Sequence, residues 1–280
     1  MKRVVTIQDI SCLGKCSLTV ALPIISAYGV ETCVIPTAVL STHTMFNGFT
    51  FRDLTSDMLP IKEHWQKEGF EFDAIYTGYL GSFEQLDIVK DYFKSLKTSN
   101  TITVVDPVMA DNGKLYKGFT VDFAHNMATL CGMADVIVPN LTEACFMLDK
   151  EYVASGYSRD YIKDILVSLA NLGAKKTILT GVSFNDGETG VMGYDSETGE
   201  FFEYYHKRID ASYHGTGDIF SSAFVGGLMR GYTTLTALKI AANFTAECIE
   251  ITANDKNSIK YGVNFEFVLP NLIDEIRKNG

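Results

Sequence analysis

Gly215, Thr216, Gly217 and Asp218 have the clearest chemical potential in this chain. They lie in the run HGTGDIFSSAFVGGLMRG over 214–231. They open a segment whose Ile219, Phe220, Ala223, Phe224 and Leu228 recur at helical spacing. The first turn of a helix presents unpaired N–H groups and a partial positive charge, and glycines let an anion approach the backbone closely. A phosphoryl group in transfer carries charge on its equatorial oxygens and would suit that cradle. An aspartate at the same turn could take the proton from an attacking hydroxyl. The same four residues also describe a plain helix N-terminus with an acid in its first turn, which the helix dipole favours by itself. No lysine follows the glycines, so this is not a P-loop. No G-x-G-x-x-G follows the first apolar run, which argues against a dinucleotide-dependent oxidoreductase.

Other polar residues sit where short apolar runs end. VVTI (4–7), CVIPTAV (33–39), AIYTG (74–78), ITVVD (102–106), VIVPN (136–140) and TILTG (177–181) read as buried strands. Asp9 follows the first and Tyr79 the third. Asp106 closes the fourth, Asn140 the fifth, and Thr180-Gly181 the sixth. Helical patterns lie between them near 17–28, 83–97, 118–130, 141–149 and 158–172, then at 217–230, 234–253 and 265–278. This alternation predicts an α/β fold: a central, mostly parallel sheet with helices on both faces. GVMGYD and FFEYYH around the turn-rich SETGE, within 188–206, predict a small antiparallel hairpin at the sheet edge. No repeat, linker or low-complexity tract interrupts the chain, so 1–280 reads as a single domain. In open parallel sheets ligands collect beyond the carboxyl ends of the strands, which is where these polar residues fall.

Composition narrows the function. The chain has 280 residues, 46% of them hydrophobic, enough for a sizeable core. The formal net charge of -10 disfavours nucleic acid and anionic membrane as partners. No stretch has the apolar length of a membrane span or a secretory signal, and the six scattered cysteines read as reduced thiols, so a cytoplasmic location is expected.

GTGD opening a small-residue-rich helix in the C-terminal third resembles the signature of the ribokinase-like sugar and vitamin kinases. Within them the chain is similar to the pyridoxal kinase branch. IQDISCLGKCS (7–17), STHT (41–44), TGYLGS (77–82), DPVMAD (106–111) and PNLTEA (139–144) occur in that family's order. The resemblance implies ATP-dependent phosphorylation of the hydroxymethyl group of a B6 vitamer: pyridoxal, pyridoxine or pyridoxamine. It implies Asp218 as the base and Gly215, Thr216 and Gly217 as the anion hole. It places Asp106, Asp111, Asn140 and Glu143 on the magnesium side. Tyr116, Thr180 and Gly181 would lie along the nucleotide, and Asp9, Thr44 and Tyr79 on the vitamin side. It leaves room for a monovalent cation, and similar kinases are commonly homodimers.

Local chemistry offers other roles for several of these residues. Asn140 and Glu143 also fit a capping box, Asp111-Asn112-Gly113 an ordinary turn, and His43 a satisfied loop histidine. Related kinases carry serine at Asp9 and glycine at Ala110. An ionised Asp9 accepts hydrogen bonds only, so it would either select a protonated pyridine nitrogen or hold the turn at Ser11–Gly14. Two other readings stand beside this one: a hydroxymethylpyrimidine or sugar kinase of the same fold, and a B6-binding protein without turnover.

Overall fold

The structure, a computed structural model, describes residues 1–258 and 260–279. In chain order it runs β1 (Arg3–Ser11), α1 (Leu18–Ala27), β2 (Glu31–Leu40), β3 (Phe51–Asp53) and α2 (Thr55–Lys67). Then come β4 (Ala74–Thr77), α3 (Phe83–Leu96), β5 (Ile102–Val105), the short β6 (Ala110–Asp111) and β7 (Lys114–Leu115), and α4 (Val121–Cys131). There follow β8 (Val136–Ile137), α5 (Leu141–Leu148), α6 (Arg159–Ala170), β9 (Lys176–Val182), β10 (Glu188–Asp195) and β11 (Glu200–Lys207). The chain closes with α7 (Thr216–Met229), α8 (Thr234–Asn254), a single 3-10 turn at Phe265–Phe267 and α9 (Leu269–Asn279).

The chain divides into two compact units, Met1–Ala74 with Arg208–Gly280, and Ile75–Lys207. In the first, β1 pairs in parallel with β2, and β3 adds antiparallel to β2. The β1–β2 register shifts between Gln8 and Ile10. Gln8 pairs with Pro36 and Ile10 with Val39, so β2 carries the extra residue, opposite Asp9. In the second unit β4, β5, β8 and β9 are successive neighbours, and the β10–β11 hairpin adds antiparallel to β9. The expected mostly parallel α/β arrangement with a small hairpin is therefore present.

Local chemistry explains most of the helix starts. Ser82, Thr120, Ser158 and Thr233 each accept a backbone amide three residues on, so α3, α4, α6 and α8 open on side-chain caps. Helix α7 opens on glycine instead. Further along it, Gly226 lies against the ring of Tyr28 and Gly227 against Ala237, where a Cβ would collide. Gly226 and Gly227 inside the helix cost conformational entropy, and close packing against α1 and α8 offsets that cost. Helix α2, strand β3 and the short strands β6 and β7 are elements that sequence patterning did not anticipate. Pro60 lies inside α2, where it removes a backbone donor and breaks the expected pattern.

Candidate active site

In the first unit, the Gly215 turn is shaped by packing. Gly215 has φ 78°, a left-handed conformation that side chains resist. A Cβ there would also collide with the carbonyl oxygen of Lys15. Gly217 differs, because a Cβ on it would meet nothing within 4 Å. The amide end of α7 is thus packed at Gly215 and open at Gly217.

Asp218 stands in the first turn of α7 and is buried. Its Oδ2 accepts the backbone amide of Ser17 at 2.9 Å. Ser17 in turn donates its hydroxyl to Asp9 Oδ1 at 2.5 Å, and its carbonyl accepts the Ala21 amide at 2.9 Å. Ser17 has φ 50° and ψ −132°, a strained backbone for a residue with a side chain, costing roughly 1–3 kcal/mol. Asp9 also accepts the Ser11 hydroxyl, at 3.4 Å. Burial pushes the Asp9 carboxyl above its ordinary range, and the Ser17 hydroxyl pulls it back. Asp9, Ser17, Asp218 and Gly215 are therefore brought together in one unit.

The neighbouring loops are pinned. Lys15 Nζ donates to Asn264 Oδ1 and Glu266 Oε2, both at 2.9 Å. Asn264 is itself held by Thr252 and Asp255. His43 packs its ring 4.6 Å from that of His214, the residue before Gly215. Its Nδ1 accepts the Met45 amide at 3.1 Å. Burial, and then His214, push His43 down to about 4. Thr44, beside it, is exposed.

The second unit gathers the other expected residues. Asn140 and Glu143 form a reciprocal capping box at the start of α5. The second oxygen of Glu143 accepts the Met109 amide at 3.0 Å, and Asn140 Nδ2 donates to the Ala110 carbonyl at 2.8 Å. Val108 next door has φ 33°, so the 106–111 segment is held in a tight shape by this helix start. Glu143 is buried, and its carboxyl is pushed up to about 8, first by burial and then by the charge of Asp106. Two carboxyls sharing a buried site in this way fit a cation that would relieve both. Asn140 also bridges to Thr180 at the end of β9. Asp111 accepts from the amide and side chain of Asn112 and stabilises the Asn112-Gly113 turn of the β6–β7 hairpin. Tyr116 and Gly181 are exposed. The ring of Tyr79 lies 5.6 Å from Phe119, which stacks 4.4 Å from Phe123. Among the described residues no group of three or more His, Cys, Asp or Glu is placed to hold a metal by itself.

Residues 21–264 match the sequence profile of the phosphomethylpyrimidine kinase family. The chain belongs to that family. As a family kinase it is similar to a Bacteroides thetaiotaomicron protein provisionally assigned as a phosphomethylpyrimidine kinase and solved with pyridoxal. They share 39% identity over 97% of this chain and 95% of that one, with a TM-score of 0.92. Pyridoxal kinase from Lactobacillus plantarum is 29% identical, covering 98% of this chain and 97% of that one, with a TM-score of 0.89. A Dictyostelium discoideum pyridoxal kinase is 26% identical over 272 residues, 92% of this chain and 88% of the relative.

Sequence patterning alone does not single out the residues that hold the kinase's polar groups in place. Ser17 precedes a helix and so carries the signature of a cap, yet it makes no side-chain cap and spends its hydroxyl on Asp9. Lys15 carries no signal beyond its charge, because its partners lie 249 and 251 residues further along the chain. Among the described residues no helix is long and apolar enough to cross a membrane.

Proposed function

We propose that this kinase transfers the γ-phosphoryl group of ATP to the hydroxymethyl group of pyridoxal, pyridoxine or pyridoxamine. One observation carries the reading: Asp218 is buried at the N-terminus of α7, held by the Ser17 amide, beside a glycine whose α-hydrogen faces open space. A carboxylate at that point can take the hydroxymethyl proton as the oxygen forms its bond to phosphorus and the bond to the ADP oxygen breaks. The amides of the turn at Gly215, Thr216 and Gly217 would carry the charge of the moving group. The vitamer choice is supported by the pyridoxal kinase relatives and by the 39%-identical structure solved with pyridoxal.

The remaining roles belong to the same proposal. Asp106 and Glu143 would hold magnesium through water, with Asp111 and Asn140 contributing from the same side. Magnesium would supply charge neutralisation on the phosphates, and its reluctance to shed water suits so sparse a donor set. Tyr116, Thr180 and Gly181 would line the nucleotide. Asp9, Thr44 and Tyr79 are the residues assigned to the vitamer side. A homodimer, a cytoplasmic location, a role in salvage of the vitamin's phosphate ester and a monovalent cation follow from the family resemblance.

Hydroxymethylpyrimidine is the second acceptor to weigh, because the matching family is named for a methylpyrimidine acceptor. The test is ATP consumption with each B6 vitamer and with hydroxymethylpyrimidine, with mass detection of the products. Phosphorylated vitamer is expected, and Asp218→Asn should lower kcat by about 10²–10⁴-fold with vitamer binding retained. Efficient turnover of the pyrimidine alone overturns the vitamer assignment. Vitamer binding without ATP consumption would leave a binding protein.

A further inference from the structure

The strained serine between the two buried carboxylates points to a role beyond helix initiation. Each polar group of Ser17 has a partner: the amide donates to Asp218 Oδ2, the carbonyl accepts from Ala21, and the hydroxyl donates to Asp9 Oδ1. Only the first of these touches the reaction's base. The amide can point at Asp218 because φ at Ser17 is 50°, a conformation that a residue with a Cβ does not hold unaided. Neighbouring contacts brace the loop. The Lys15 carbonyl fills the space in front of Gly215, and the Lys15 side chain is anchored to Asn264 and Glu266. Thr19 Oγ1 closes the turn by donating to the carbonyls of Gly14 and Cys16 at 3.0 and 2.8 Å.

We infer that Ser17 is a positioning residue for the phosphoryl transfer: its hydroxyl, gripped by Asp9, holds the backbone turn whose amide orients the carboxylate of Asp218. The inference rests on the kinase reading above. It gives Asp9 a task that needs no contact with the vitamer. A 2.5 Å hydrogen bond from a hydroxyl to a carboxylate is of the strong, charge-assisted kind, suited to holding a strained backbone. Asp218 is thereby set for the acceptor hydroxyl before the acceptor arrives. A misplacement of the base on the order of an ångström costs up to about a hundredfold in rate, and binding need not change.

The test compares two variants that both delete the hydroxyl. Ser17→Ala keeps a Cβ and so relaxes toward ordinary backbone angles. Ser17→Gly adopts the observed angles with little cost. With pyridoxal, ATP and magnesium, Ser17→Ala should lower kcat by about tenfold or more, with KM for both substrates within about twofold of the parent. Ser17→Gly should recover most of that loss. Undiminished kcat in the alanine variant overturns the inference. So does equal loss in both variants, or a loss that appears in KM alone.

A second arm is independent of any acceptor. Hydrogen exchange at the residue 17 amide should be slow in the parent and in Ser17→Gly, and fast in Ser17→Ala and Asp9→Ala. Fast exchange in the parent overturns the inference whatever the substrate is. Parent protein that phosphorylates no B6 vitamer overturns the proposed function instead, and the exchange arm still decides the role of Ser17.

Discussion

Asn140 and Glu143 bond each other in both directions: Asn140 Oδ1 accepts the Glu143 amide at 2.9 Å, and Glu143 Oε2 accepts the Asn140 amide at 2.9 Å. The other Glu143 oxygen takes the Met109 amide, so one carboxylate organises both the start of α5 and the 106–111 segment. Glu143→Gln must turn an NH₂ group toward one of those amides and leave a buried donor unpaired, which costs about 1–3 kcal/mol. We therefore expect a lower melting temperature. We also expect more magnesium to be needed for half-maximal turnover. A melting change with an unaltered magnesium titration would leave Glu143 only its capping role.

Gly215 and Gly217 should separate packing from chemistry. Gly215→Ala places a side chain at φ 78° and against the Lys15 carbonyl, so unfolding should become easier by at least about 2 kcal/mol. Gly217→Ala meets nothing within 4 Å and sits inside α7, so its stability should match or exceed the parent's. Its kcat should still fall by about tenfold or more if, as proposed, the methyl group enters the space taken by the phosphoryl oxygens. Denaturant melts and steady-state kinetics on both variants check this. Full activity in Gly217→Ala would remove the turn from the anion hole.

Asp9 can be interrogated through the ring nitrogen. Both of its oxygens accept serine hydroxyls, so the structure favours a role in holding the turn. Asp9→Ser should then be less stable and slower. It should discriminate between pyridoxal and an analogue with carbon in place of the ring nitrogen to the same degree as the parent. Competition kinetics with the two acceptors measure this, and stronger discrimination by the parent would put the carboxylate on the nitrogen.

His43 predicts a pH dependence of stability. Burial, then His214, hold its imidazole down at about 4 against an ordinary value of 6.5. The folded state thus favours the neutral ring, and the unfolded chain binds the proton more readily. The stability this provides is complete above about 6.5 and is lost as pH falls from there toward 4. In thermal melts, His43→Gln should show a shallower decline over that window than the parent. Parallel declines would mean that other groups dominate acid unfolding.

Much of this protein is legible along the chain. The six apolar runs became strands because alternation of β-rich runs with amphipathic segments is a local property, written in consecutive residues. The hairpin of β10 and β11 was legible for the same reason, as were the helix starts after Ser82 and Thr233, whose caps act over three residues. Helix α2 escaped because Pro60 disguises a local pattern that tertiary packing tolerates. The motif residues also announced themselves, and the family match covers residues 21–264. Tertiary structure alone decided what those residues touch. Gly215 is glycine partly because Lys15, 200 positions away, leaves no room for a Cβ. Asp218 meets the Ser17 amide across 201 positions, and Ser17 bends to do so because Asp9 grips its hydroxyl. Periodicity and propensity report on neighbours in sequence. Hydrogen-bond partners at such separations are set only when strands and helices pack, and that packing positions the residues proposed for phosphoryl transfer.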